Sequence, residues 1–268
     1  MKITRIETIT VKEFFHVCWV RIHTDAGHIG LGETWYIPRA VEAVIHDVYS
    51  PHLIGQNPID RERLWAKMFG IAEGFGYAGT EFRALSAIDI ALWDIAGQSM
   101  GEPIYNLLGG MSRDKIRIYN TIGSYGEYQD NEWELKDPVG QAQSYIDEGI
   151  TMFKSYYAMA IPRDGQGNFV AAEDIRKALQ PLEKVRNAIG DQIEIAHDGG
   201  GQWSLPAAIR ICQAMEEYDI FWQEEMIRPV NVEAHLRLKE ATKTPITAAE
   251  RLFSKFQFRE FIEKGAAE

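Results

Sequence analysis

Three carboxylates stand at equal intervals along the chain. Ile193-Glu194-Ile195-Ala196-His197 runs into Asp198, Ile220-Phe221-Trp222-Gln223 into Glu224, and Ile246-Thr247-Ala248-Ala249 into Glu250. The steps from 198 to 224 and from 224 to 250 are both 26 residues. Each acid closes a short apolar run. Carboxylates drawn into one small volume disfavour one another's ionisation unless a counter-charge is present. A divalent cation is the usual answer, and an all-oxygen set suits Mg²⁺, with waters or substrate filling the rest of an octahedron. Any one of these acids alone reads as a surface residue at a loop start. The repeated interval, with the same position each time, favours a shared metal.

The elements that must position these acids follow from the interval. One strand, one loop and one helix use roughly that many residues in a βα repeat. Successive parallel strands would place the three carboxylates at the same end of neighbouring strands. From about Lys115 the chain reads strand, helix, strand, helix. Strands are expected over 115–122 and 150–157, and at three runs ending at Asp198, Glu224 and Glu250. Helices are expected over 138–148, 172–189, 205–217, 232–242 and about 255–264, with Pro181 kinking or dividing the second of them. Residues 162–169 form a polar, glycine-containing loop. Open doubly wound sheets alternate in this way too. Carboxylates converging from three consecutive strand ends fit a barrel better, because barrel sites are assembled at the C-terminal face.

The first part of the chain reads differently. Ile3, Ile6, Ile9 and Val11, then Cys18 to His23, then His28 to Glu33 give a three-stranded β-meander, with Thr24-Asp25-Ala26-Gly27 as a turn. Helices follow over 39–48 and 61–68, with Asp60 as a candidate N-cap. The glycines at 70, 74, 76 and 79 mark a mobile loop. A strongly apolar helix spans 84–97, with Asp89 and Asp94 as surface or interface acids. Phe15 and His16 in the first loop and Tyr77 in the glycine-rich loop are candidate substrate-binding residues, set as a lid would need them. A small packed loop explains Phe15 and His16 equally well.

The chain has 268 residues, 46% hydrophobic and 25% charged, which is ordinary for a globular protein with one large or two smaller domains. A net charge of −11 argues against nucleic acid and against an anionic membrane surface as partner. An acidic protein still binds an anionic substrate where a metal supplies local positive charge. Cys18 and Cys212 lie far apart and read as reduced core residues, which fits a cytoplasmic location. No apolar run approaches membrane-spanning length, and the N-terminus lacks the apolar core of an export signal.

With these motifs in view, the chain resembles the enolase superfamily, in its mandelate racemase branch. Residues 86–97 (Ser-Ala-Ile-Asp-Ile-Ala-Leu-Trp-Asp-Ile-Ala-Gly), then Gly101-Glu102-Pro103 and Leu107-Leu108-Gly109-Gly110, match a capping-domain signature of that branch. Asp198, Glu224 followed by Glu225, and Glu250 match its three metal ligands. The resemblance implies an α+β capping domain over 1–114 and a TIM-type (β/α) barrel from 115, of which about five βα units fall within 115–268. It implies Mg²⁺ at Asp198, Glu224 and Glu250, holding a small-molecule carboxylate substrate and stabilising the enediolate left when the α-proton is removed. Dehydration of a sugar acid to a 2-keto-3-deoxy acid is the leading expectation. Racemisation, epimerisation or cycloisomerisation through the same enolate is the alternative, and a ligand-binding barrel without turnover is the non-enzymatic one. A homo-oligomer is expected.

The departures from that pattern carry information. The branch places Lys-x-Lys at the end of the second barrel strand, and here the stretch is Lys154-Ser155-Tyr156. Lys154 matches the first lysine, and its role would be to touch the substrate carboxylate. Tyr156 takes the place of the lysine base, and a nearby Lys154 would lower its pKa. Some sugar-acid dehydratases carry a histidine two positions after the first metal ligand, where this chain has Gly200. His197 should face the opposite side of its strand. Eight strands close such a barrel, so the intact protein is expected to be longer.

Overall fold

A computed structural model describes all residues except Tyr77 and Gly126. The chain folds as two compact units, Met1–Lys115 and Ile116–Glu268.

In the first unit, β1 (Ile3–Ile9), β2 (Val17–Thr24) and β3 (Ile29–Trp35) form an antiparallel meander in that order. Val20 and Ile22 alternate with more exposed residues, so one face of β2 is buried. Helix α1 (Pro38–Ala43) runs through a π-helical segment, Val44–Tyr49, into α2 (Ser50–Leu53), so helical structure continues five residues beyond the expected end at 48. Helices α3 (Arg61–Ala72), α4 (Thr80–Met100) and α5 (Ile104–Leu107) complete the unit. The apolar helix is thus longer than expected, and its buried stripe of Leu85, Ala87, Ile88, Ala91, Leu92 and Ile95 packs on the sheet. Close approach needs glycine on β3: a Cβ at Gly32 would sit 1.9 Å from the Ala87 carbonyl oxygen.

Two expectations here are corrected. Asp60 occupies the N-cap position of α3 but makes no capping bond, because its carboxylate accepts from Arg63 (2.8 Å) and Asn57 instead. Gly70 lies inside α3, so the loop that follows begins only after Ala72.

The second unit carries β4 (Asn120–Thr121), a small hairpin of β5 (Ser124–Tyr125) and β6 (Tyr128–Gln129), α6 (Asp130–Lys136) and α7 (Pro138–Asp147). Then come β7 (Met152–Ser155), α8 (Ala172–Ile189), β8 (Glu194–Asp198), α9 (Leu205–Met215), β9 (Ile220–Glu224), α10 (Val232–Ala241), β10 (Ile246–Thr247) and α11 (Lys255–Lys264). Strands β4, β7, β8, β9 and β10 form one parallel sheet in sequence order. Sequential parallel neighbours joined by helices are the wall of a (β/α) barrel, here five strands of it. The core gathers under the helices, where Ile175, Leu179, Leu182 and Val185 of α8 meet Phe153, Ile195, Ile211 and Ile246.

Three differences from expectation have local causes. The first strand shrinks to Asn120–Thr121, because only those two residues pair with β7, and Ile116 and Ile118 are exposed. Helix α8 runs unbroken through Pro181, which is itself buried, so the apolar face holds the helix together across the missing N–H. Strand β10 stops at Thr247 rather than reaching Glu250, because Ala249 adopts φ 105°, outside extended geometry. Cys18 and Cys212 are free and buried. Among the described residues, no helix is long and apolar enough to cross a membrane.

Candidate metal centre

Register brings the acids together. Asp198 is the last residue of β8 and lies opposite Glu224, the last of β9, and Glu224 lies opposite Thr247 of β10. Glu250 follows three residues after Thr247, in the turn beyond the strand. One oxygen from each of Asp198, Glu224 and Glu250 lies within 4.8 Å of the others. Asp198 is buried, Glu224 half-buried and Glu250 exposed. The cluster is therefore graded, with its deepest carboxylate buried and its outermost one open to solvent.

Lys154, near the end of β7, reaches into the same place. Its Nζ lies 3.0 Å from Asp198 Oδ2 and 3.0 Å from Glu224 Oε2, and the residue is only 6% exposed. A solvated lysine head is thereby excluded. Burial pulls its pKa down, but the Asp198 and Glu224 carboxylates outweigh this and hold the ammonium above its ordinary range. The Glu250 carboxyl is raised, first by burial and then by the Asp198 and Glu224 charges, with Lys154 opposing.

Each acid has a further partner. Asp198 Oδ1 accepts the Gly200 N–H (2.8 Å), Glu224 Oε2 accepts the Trp222 indole N–H (3.3 Å), and Glu250 Oε1 accepts Arg251 Nη2 (3.1 Å). Glu225, 1% exposed, pairs with Arg251. Four carboxylates (Asp198, Glu224, Glu225, Glu250) face two cations (Lys154, Arg251), which leaves a formal charge of −2. That residue of charge matches one divalent cation. The spacing fits as well, since Mg–O contacts of about 2.1 Å put ligand oxygens roughly 3–4 Å apart, close to the 4.8 Å limit here. The residues present fit Mg²⁺.

Tyr156 lies just past β7, with its hydroxyl 3.1 Å from Thr121 Oγ1 and its ring 5.8 Å from Lys154 Nζ. Its pKa is raised, not lowered: burial dominates the Thr121 hydrogen bond and the Lys154 charge. Lys154 does pull the Tyr156 pKa down, as expected, but burial outweighs it, so the hydroxyl stays protonated at neutral pH. His197 faces away from the acids. It is fully buried, accepts the Ala158 N–H at Nε2 (3.1 Å), sits 3.1 Å from Gln223, and is held neutral by burial with a pKa pushed down to about 4.

Phe15 and His16 belong to the first unit. Phe15 is exposed and meets His16 at a tilt of 45° with ring centroids 3.8 Å apart, and His16 also meets Trp35 and Tyr36. Tyr77 lies outside the described residues. Sequence reasoning passed over Trp222, Tyr119, Glu134 and Arg251. Alternation pointed to Trp222, since residues two apart on a strand share a face and Glu224 is two residues on. Tyr119 meets Trp222 edge-on at 5.3 Å and lies 5.9 Å from Lys154 Nζ. Glu134, on α6, accepts the Tyr156 N–H (3.0 Å), and burial pushes its pKa up to about 7. No local pattern marks Glu134, because α6 reaches Tyr156 only through the fold.

Residues 4–109 match the family described as mandelate racemase/muconate lactonizing enzyme, N-terminal domain, and residues 138–268 match the enolase C-terminal domain-like family. The chain is 32% identical to a D-galactonate dehydratase from Verminephrobacter eiseniae, over 99% of this chain and 65% of that protein. It is 27% identical to a D-xylonate dehydratase from Haloferax volcanii, over 100% of this chain and 64% of that one. Among solved structures, an enolase of the mandelate racemase subgroup from Agrobacterium tumefaciens superposes with a TM-score of 0.88 at 36% identity, over 100% of this chain and 69% of that one. The chain thus spans about 65% of the length of the curated relatives it matches.

Proposed function

Because the chain belongs to the enolase superfamily, in its mandelate racemase branch, we propose that the protein dehydrates a sugar acid, removing the α-proton of a Mg²⁺-held carboxylate substrate. The observation that carries this reading is the convergence of Asp198, Glu224 and Glu250 within 4.8 Å. These three residues would hold the metal. When bound, Mg²⁺ supplies fixed positive charge that makes the proton α to the carboxylate more acidic.

The chain's own residues supply the rest. Lys154 presents a buried ammonium where negative charge develops as the α-proton leaves, and fixed charges aimed at developing charge are commonly the largest catalytic contribution. Tyr156, protonated and anchored by Thr121, donates a hydrogen bond rather than taking the proton. Trp222 and Tyr119 wall the centre with aromatic surface beside Lys154. Loss of the α-proton and of the β-hydroxyl as water leaves an enol, which tautomerises to a 2-keto-3-deoxy acid. The names of the two dehydratase relatives support a sugar acid as substrate class.

The test is incubation with a panel of sugar acids in D₂O, with and without Mg²⁺. Mg²⁺-dependent formation of a 2-keto acid is the expected result. Deuterium uptake at the α-carbon without keto acid would replace dehydration by reprotonation, that is, racemisation or epimerisation. Substrate binding with neither product would leave only a non-catalytic barrel.

A further inference from the structure

Beyond the ligands themselves, the strand ends at the centre are tied together by a second layer. Arg251 follows ligand Glu250, and Glu225 follows ligand Glu224. The buried Glu225 carboxylate accepts from Arg251 at Oε2 and from the Ala249 backbone N–H at Oε1 (3.2 Å). Arg251 Nη2 also donates to Glu250 Oε1 (3.1 Å) and to the Gly200 carbonyl (3.2 Å), two residues past ligand Asp198. One guanidinium and one carboxylate therefore touch all three segments that carry the acids, the ends of β8 and β9 and the turn after β10.

The backbone is bent to allow it. Glu225 and Ala249 adopt φ 37° and 105°, in the left-handed region that side chains disfavour. Gly200 and Gly201 adopt φ 61° and 65°, and a Cβ at Gly201 would lie 2.9 Å from Arg251 Nη1. The Gly201 N–H donates to the Glu225 carbonyl, and the Gly199 N–H to the Glu224 carbonyl (2.9 Å). Two strained non-glycine residues and a glycine run meet at the one place where the ligand strands converge.

We propose that Glu225 and Arg251 act as a clamp that fixes the spacing of Asp198, Glu224 and Glu250, and so tunes the centre to a small octahedral cation. They are positioning residues, not ligands. The proposal rests on the metal reading above. Arg251 suits the task because its rigid planar fork holds acceptors spread over several ångströms in fixed directions, whereas a lysine ammonium is a compact point charge on a flexible stem. Partners that orient metal ligands typically change affinity by about 10–100-fold when removed.

Cation size provides the readout that a merely structural role would not move. Mg²⁺ demands near-ideal geometry at about 2.1 Å, whereas Ca²⁺ accepts flexible coordination at about 2.3–2.6 Å. Calorimetric titration of Mg²⁺ and of Ca²⁺ into wild type, Glu225→Gln, Arg251→Met, Arg251→Lys and the double variant Glu225→Gln/Arg251→Met tests it. The double variant leaves no unpaired buried charge, so it is the one suited to folding normally. The clamp predicts Mg²⁺ affinity about 10-fold or more weaker in the double variant, with Ca²⁺ affinity changed much less, so that the Mg²⁺/Ca²⁺ preference falls. Arg251→Lys should lie between wild type and Arg251→Met. Equal losses for both ions, or Mg²⁺ affinity within about twofold of wild type in the double variant, overturn the clamp while leaving the metal reading standing. A wild-type protein that binds neither ion overturns the metal reading, and the clamp with it.

Discussion

Lys154 and Glu134 are two buried titratable side chains that the strand end at β7 holds in opposite electrostatic settings. Lys154 is surrounded by carboxylates and stays charged. Replacing it by Met should lower kcat by about 10²–10³, the scale seen when one group aimed at developing charge is lost; near-normal turnover would remove it from the mechanism. Tyr156→Phe removes one hydrogen-bond donor and should cost only about tenfold, whereas a loss as severe as that of Lys154→Met would make Tyr156 the base. Among the described residues no cation offsets the burial of Glu134, which raises its carboxyl from 4.5 to about 7. The folded state then binds a proton more tightly than the unfolded chain does. Stability from this group is full below the unfolded pKa and falls as pH rises through the window from about 4.5 to 7. Urea unfolding at pH 5 and pH 7.5 should show Glu134→Gln losing less stability over that interval than wild type, and an identical pH dependence would show that Glu134 is ionised throughout. Lys154 was legible in the sequence only through family resemblance, since a lone strand lysine has no signature. The direction of the Tyr156 pKa was not legible at all, because burial is a property of the folded surroundings.

At the scale of elements, the βα alternation was readable because each strand and helix keeps its own hydrophobic period. Five parallel strands and their order follow from it. What was not readable depends on tertiary contact. The N-terminal strand of the sheet was overestimated since alternation in Ile116, Ile118 and Ile122 does not reveal how few residues find a partner. Pro181 was expected to kink or divide its helix, and α8 runs through it undivided, held by its packed face. Glu250 looked like a strand end, yet it sits beyond a strained turn at Ala249. In the capping unit, the β3–α4 contact is the tightest test of packing. Gly32→Ala would drive a methyl group against the Ala87 carbonyl and should destabilise the protein by about 1–3 kcal/mol, the usual range for overpacking. An unchanged unfolding midpoint in urea would show that β3 and α4 separate freely.

For the whole molecule, a net charge of −11 coexists with a local charge of −2 concentrated where β8, β9 and the turn after β10 meet. A ligand that binds only the folded state stabilises it by mass action. Mg²⁺ should therefore raise the unfolding temperature, and EDTA should reverse the rise; a midpoint indifferent to both would speak against a resident cation. The most direct measurement is the anomalous diffraction of crystals soaked in Mn²⁺, an ion of like charge and octahedral habit. One strong peak is expected between Asp198, Glu224 and Glu250, with metal–oxygen distances of about 2.1 Å, and its loss in Glu224→Gln. A peak elsewhere, or density at the three carboxylates that is water alone at saturating Mn²⁺, would contradict it.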